Sequence, residues 1–342
     1  MSFLVRDAMA MMEEIAPRSY AESWDPTGLQ IGNPLAPVQR IAFALDATVE
    51  IVREAIEKGA NLLIVHHPLF FKPLKNLDLS SPEGRLVEEA IRAGLSIYAA
   101  HTNLDSAPGG LNDALCRKIG LENLKVLAAE KEEDLYLLHM EIPDHVRESL
   151  DAAAPSMACT FSWWASLGKE SVMGSAFVEG RKRFEVEKKI RALCLPMDLQ
   201  WTRAGSKPTG AGLGRIGKLA EPLSLRDLAL KIKKALKTDH IRMVGDEEKK
   251  IQTLAVCSGS GASLIPAALA GKADCLLTGD LKYHEAMSAL DYGLALLDAG
   301  HFGTEHLVVE LLQKSFEERL RERDGQGIGF VTLEGRDPFR II

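Results

Sequence analysis

Two hydrophobic periods share this chain. Short runs of consecutive apolar residues, the pattern of strands buried on both faces, alternate with stretches whose apolar residues recur every three or four positions, the pattern of one-sided helices. In the first part RIAFALD (residues 40–46), NLLIVHH (61–67) and LSIYAAH (95–101) read as strands. TVEIVREAIEKGA (48–60) and SPEGRLVEEAIRAG (81–94) lie between them and read as helices, each closing near a glycine as a helix C-terminus prefers. In the last part the strands are IQTLAVCSG (251–259), ADCLLTGD (273–280), LALLDAGH (294–301) and GIGFVTLE (327–334). ASLIPAALAG and LKYHEAMSALDYG connect the first three as helices, and TEHLVVELLQKSFEERLRERDG follows the third as another. This alternation predicts an α/β fold, its sheets flanked by helices.

The middle breaks the pattern. EDLYLLHMEIPDHVRESLDAAAP reads as strand then helix, and SVMGSAFVEGRKRFEVEKKIRALCLPMDLQWTRAG as one or two strands, helix, strand. That order suits a small α+β unit of split β-α-β, ferredoxin-like type. The division expected is an N-terminal α/β half over residues 1–129, an inserted α+β domain over 130–207, and a C-terminal α/β half over 208–342. GAGLGRIG has the glycines of a dinucleotide loop, but no clear strand precedes it and KLAEP follows in place of a helix. A loop or hairpin is expected there.

The apolar runs of both halves end in polar clusters: Asp46, the pair His66 and His67, His101 with Asp105, Ser258 to Gly261, Asp280, and Asp298 with His301 and Glu305. In open α/β sheets, sites form just outside the carboxyl ends of strands, so these clusters can converge although they lie far apart in sequence. His66, His67, Asp105, His301 and Glu305 offer imidazole and carboxylate groups and no thiolate. Such a set suits Zn, Fe, Mn or Ni better than Ca or Mg, which prefer all-oxygen shells. It exceeds what one catalytic zinc with three protein ligands needs, and two divalent ions sharing a carboxylate would use all of it. His301 and Glu305, four apart at a helix start, can face the same way.

Each residue alone also has an ordinary reading. A histidine after a strand is more often hydrogen-bonded than ligating. Asp105 suits a turn before SAPGG, and Asp46 suits an N-cap for a helix starting at Val49, a position for which Thr48 competes. Met9, Met11 and Met12 read as core fillers, and His139, His145, His240 and His306 as structural, since they follow no strand end. Convergence is what points to metal.

Composition narrows the setting. Of 342 residues 46% are hydrophobic and 26% charged, and the net charge is −7. The one dense basic stretch, EGRKRFEVEKKIRAL, alternates with glutamates, so it makes no basic face for duplex DNA. Strong nucleic-acid binding is not expected. No run is long and apolar enough for a membrane span, and the N-terminus reads as an amphipathic helix rather than a signal peptide. The five cysteines never take CxxC spacing and read as core thiols. A cytoplasmic location is the expectation.

ESWDPTGLQIG, LDAT, IVHHPLFF, YAAHTNLD followed by GGLND, GSGAS, LTGDLKYHEA, AGHFGTE and the tail DPF together resemble the NIF-three-like dinuclear-metal proteins, the GTP cyclohydrolase I type 2 homologues. The resemblance covers about residues 1–125 and 208–342; the middle is similar to the insert of some members only in position and coarse element order. Pro26 stands where many members carry Asn. The resemblance implies that His66, His67, Asp105, His301 and Glu305 bind two divalent metals with Glu305 bridging. It also implies that His101, Asp280 and His284 lie near them, and that the chain forms a ring-like hexamer. The function that follows is hydrolysis of a small, nucleotide-like substrate at a dinuclear centre. His284 or His101 would carry protons and the SGSG amides would bind an anion. The alternative is a non-catalytic metal-binding ring that senses a ligand or docks a partner through its insert.

Overall fold

The computed structural model describes residues 2–165, 170–194, 198–322 and 327–341. Its first helix, α1 (Val5–Ile15), is amphipathic and buries Val5, Ala8, Met11 and Met12. After it come β1 (Gly28–Ile31), which the periodicity does not reveal, then β2 (Arg40–Ala44), α2 (Val49–Glu57), β3 (Leu62–Val65), α3 (Pro82–Ala93) and β4 (Ser96–Ala99). From β2 onward each lies inside the span its pattern predicts. Thr48 and Ser81 start the two helices, their hydroxyls accepting the backbone N–H of Ile51 and Gly84. Then follow α4 (Thr102–Ser106), α5 (Leu111–Ile119) and β5 (Leu121–Ala128).

Residues Lys131–Thr209 are a separate compact unit. It runs β6 (Glu132–Pro143), α6 (Arg147–Ala153), β7 (Ser162–Ala165), β8 (Ser171–Glu179), α7 (Arg183–Leu193) and β9 (Asp198–Pro208). The four strands form one antiparallel sheet in the order β7-β8-β6-β9. Its core joins Leu138, Met140 and Ile142 of β6 to Leu150 of α6 and to Val186 and Ile190 of α7.

The chain returns to the first unit with β10 (Leu213–Ser224), α8 (Leu225–Leu236), β11 (Arg242–Val244), β12 (Lys250–Ser260), α9 (Ile265–Ala270), β13 (Cys275–Gly279), α10 (Tyr283–Asp291), β14 (Ala295–Asp298), α11 (His301–Glu305), α12 (Val308–Glu322) and β15 (Gly329–Thr332). Two expectations change here. The glycine-rich stretch is a loop only as far as Gly212: from Leu213 it is a strand paired with both β5 and β12. Gly214 has φ +63 and a Cβ there would meet the Val256 carbonyl at 2.8 Å, so glycine permits the close approach of neighbouring strands. The helix expected from Thr304 is two helices, and the first already begins at His301.

Met1–Glu130 and Gly210–Ile342 together make one unit. They exchange strands. One sheet runs β1-β4-β3-β2-β15 and the other β11-β14-β13-β12-β10-β5, so each includes a strand from the opposite half. Within the sheets β4-β3-β2-β15 and β14-β13-β12 are parallel. Alternate side chains sort the layers. Ile41, Phe43, Leu254, Val256, Leu277 and Leu297 face one shared core with α1, α5, α8 and α12, while Ala42 and Ala44 pack on α2 and α3. Ala255, Leu276 and Leu296 pack on α9 and α10. Phe316 of α12 is buried against Phe43, ring centroids 5.5 Å apart; burial of a side chain of that size contributes roughly 1.5–3 kcal/mol. No helix among the described residues is long and apolar enough to cross a membrane.

Candidate metal centre

The carboxyl ends of β2, β3 and β4 come together with those of β12, β13 and β14. His66 and His67 follow β3, where His66 N–H and His67 N–H both donate to the Leu45 carbonyl and the ladder ends. This irregularity lets two consecutive side chains serve one site, which a continuing strand forbids. Pro68 after them favours the extended conformation. Asp105 comes from α4, and His301 and Glu305 open and close the single turn of α11.

These five side chains meet around the Glu305 carboxylate. His67 Nε2 lies 2.9 Å and His301 Nε2 3.0 Å from its Oε2. His66 Nε2 lies 3.8 Å from its Oε1 and 3.7 Å from Asp105 Oδ1. Each imidazole is held from behind. His66 Nδ1 donates to the Ala100 carbonyl at 2.8 Å, His67 Nδ1 to Asp46 Oδ1 at 2.7 Å, and His301 Nδ1 to Asp280 Oδ2 at 2.7 Å. With the proton on each Nδ1, all three Nε2 atoms present lone pairs to the centre. Nε2 of His67 and of His301 face each other at 3.3 Å. His66 Nε2 and Glu305 Oε2 are buried without a hydrogen-bond partner; the two contacts to Oε2 have the distance of a hydrogen bond but not its direction. Lone pairs packed against a buried carboxylate repel unless a cation lies among them, so these residues fit a metal of the kind imidazole and carboxylate prefer.

The electrostatics agree. Burial disfavours charge on His67, but its hydrogen bond to Asp46 and the close Glu305 carboxylate outweigh it and lift the imidazole to about 10. The Glu305 carboxylate 3.0 Å away lifts His301 to about 9. For His66, burial is again outweighed, by Asp105 and Glu305, and its pKa rises. Burial, and then repulsion from Glu305, pushes the Asp105 carboxyl up, whereas the three histidines hold Glu305 well below the ordinary range despite its burial. Protons occupy the place a cation would take.

Surrounding residues fix this geometry. Ser258 Oγ donates to Asp105 Oδ1 at 3.0 Å. Asn112 Nδ2 donates to the Asp105 carbonyl while its Oδ1 accepts Ser258 N–H, which ties the two sheets' loops together. Gly259, at φ +59, could carry no side chain: a Cβ would sit 2.2 Å from Glu305 Oε1. The amides of Ser258, Gly259 and Gly261 are not open to an anion, since they donate to Asn112, Thr304 and Thr278. Asp46 does not cap α2; Thr48 does, and Asp46 is free to orient His67.

His101 sits beside the cluster, its ring centroid 5.2 Å from that of His66 and 5.6 Å from that of His67. Its Nδ1 lies 3.2 Å from Asp25 Oδ1, and Asp25 Oδ2 accepts Thr102 N–H at 2.9 Å. Sequence reading did not single out Asp25, because it follows no strand; its signal is its place in WDPTGL. Asp280 is near, with φ +58, and acts through His301 rather than at the cavity. His284 is not near. The chain turns at Asp280, Leu281 N–H is held by Asp298, and His284 ends exposed on the first turn of α10 against the Tyr283 ring. The cluster opens into a cavity of about 1170 Å³ whose lining includes Trp24, Phe71, His101, Asp105, His301 and Glu305.

Fold and site define a mixed α/β protein with a histidine–carboxylate cluster at facing strand ends. The chain belongs to the Duf34/NIF3 (NGG1p interacting factor 3) family, whose model matches residues 3–338. It is 33% identical to a Halalkalibacterium halodurans protein named GTP cyclohydrolase 1 type 2 homolog, over 97% of each chain. To a Bacillus subtilis protein of the same name it is 30% identical, again over 97% of each. A crystal structure of a Bacillus cereus protein related to NIF3 matches it with a TM-score of 0.88 at 29% identity, over 100% of both chains.

Proposed function

We propose that this protein is a dinuclear metal-dependent hydrolase of a small, nucleotide-like substrate. The observation that carries the reading is the set of three imidazoles, each anchored at Nδ1 and aimed at one buried carboxylate, beside an open cavity that His67, His301 and Glu305 line. His67, His301 and Glu305 Oε2 would hold one ion; His66, Asp105 and Glu305 Oε1 the other, with Glu305 bridging. Zn, Fe, Mn or Ni suits these donors, and such ions supply Lewis acidity to a hydrolytic displacement. Asp46 and Asp280 orient two of the ligands. His101, with Asp25 beside it, carries protons to and from the reacting group. A storage or structural site is closed, whereas this one opens to a cavity large enough for a substrate, which favours catalysis over a purely structural ring.

The same reading takes the unit Lys131–Thr209 as a ferredoxin-like insert and the assembly as a ring-like hexamer. A screen of metal-loaded protein against phosphoesters, nucleotides and cyclic amides tests the function. GTP belongs in it because relatives carry the name GTP cyclohydrolase 1 type 2 homolog. Turnover that disappears with chelator supports the proposal. Full metal loading with no turnover of any class would instead favour the non-catalytic ring.

A further inference from the structure

Trp24 is 61% exposed and Phe71 53% exposed, and both line the cavity over the cluster. Leaving two large aromatic rings in water forgoes their burial, and a concave lining is where a ligand can recover it. The chain on both sides of Trp24 is anchored. Glu22 N–H donates to Thr102 Oγ1 at 2.9 Å, and Asp25 on the other side accepts from Thr102 N–H, so both flanks of Trp24 are pinned to the residue after His101. The indole N–H of Trp24 has no protein partner among the described residues, whereas those of Trp163 and Trp201 donate to Asp151 and Glu187. Trp24 and Phe71 both meet the His101 ring edge-on, at centroid distances of 6.0 and 5.7 Å. A ring resting on either aromatic therefore lies next to His101 and the cluster. Elsewhere on the lining the exposed hydroxyls of Ser260 and Ser263 also lack protein partners among the described residues.

We infer that the cavity takes a ligand with a flat heteroaromatic ring, its face on Trp24 and Phe71 and its polar edge toward Ser260 and Ser263. This rests on the proposed centre and adds the residues that receive the substrate's ring. A planar π-face stacks where a saturated ring cannot, and the unpartnered donors favour a heteroaromatic edge over a hydrocarbon one.

Calorimetric titration of zinc-loaded protein with adenosine, benzyl alcohol and ribose tests it. Adenosine should bind more tightly than either of the others. Base–aromatic stacking of ordinary strength means that Trp24→Leu and Phe71→Leu each weaken adenosine binding about tenfold. Trp164→Leu, in the insert, should not. Both rings are exposed, so the variants are expected to fold, and circular dichroism and zinc content should match the wild type. Equal binding of all three probes, or adenosine binding unchanged in both cavity variants, overturns the inference. Zinc content is read separately and decides the metal reading; the titration decides the ring preference in either case.

Discussion

Replacing Asp46 or Asp280 by asparagine perturbs the centre without touching a proposed ligand. Each carboxylate accepts the Nδ1–H of one histidine at 2.7 Å, and both histidines face the same oxygen of Glu305. An amide keeps an acceptor but removes the charge that strengthens the imidazole as a donor to metal. Loss of such an outer partner typically costs roughly 10–100-fold in metal affinity. Both carboxylates are 46% exposed, which screens their field, so the lower end applies. That is about tenfold, or roughly 1.4 kcal/mol, for each substitution. A second effect opposes it at low pH. The metal-free His67 holds its proton up to about 10, partly through Asp46, and an entering ion must displace that proton. Losing the Asp46 charge eases the displacement and masks part of the loss at pH 7; less is masked at pH 9. Chelator competition at both pH values reads the two effects. Both variants should weaken one ion and spare the other, because His66 is anchored by the Ala100 backbone. A folded Asp46→Asn protein that holds both ions with wild-type affinity at both pH values would refute the anchoring.

Protons and metal compete for the same atoms, so metal uptake should release protons and apparent affinity should rise with pH until about 9–10, where His301 and His67 lose theirs. For the metal-free protein the sign is opposite. Raised imidazole pKa values stabilise it fully below the unfolded value of about 6.5, and this stabilisation is lost as pH rises through about 9–10. Thermal melts of metal-free and loaded protein across that range check both. Asp113→Ala leaves Arg215, only 3% exposed, without its carboxylate partner, which should cost about 3–5 kcal/mol in urea unfolding. A loss of about 1 kcal/mol or less, the size expected of a surface pair, would contradict it. Replacing Lys131–Thr209 by a short flexible linker should leave a folded protein with both ions, since that unit contributes none of the proposed ligands. A soluble, folded product that takes up no metal would show that the insert shapes the site.

The strands that lead into the centre were legible because they are buried on both faces, and LLIV, CLLTG and ALLD leave no other reading. Strands with mixed surroundings were not. β1 is half-buried, β5 has exposed positions along it, and in β10 the glycines that admit neighbouring strands look like loop residues. Strand exchange between the halves depends on contacts across more than 80 residues, which no local pattern encodes. At the site, residue types at strand ends brought His66, His67, Asp105, His301 and Glu305 into view. The orienting roles of Asp46 and Asn112, and the place of Asp25 beside His101, depend on side-chain direction, and the position of His284 outside the cavity lining depends on the turn at Asp280.

Metal analysis of the wild type, His66→Ala and Glu305→Ala, each purified from the same metal-supplemented medium and shown folded by circular dichroism, measures the shared carboxylate directly. Glu305 turns Oε1 toward His66 and Oε2 toward His67 and His301, so its removal should strip both ions. Two ions per wild-type chain, one in His66→Ala and neither held tightly in Glu305→Ala is the expected outcome. Full occupancy of both sites in Glu305→Ala would contradict a centre built around that carboxylate.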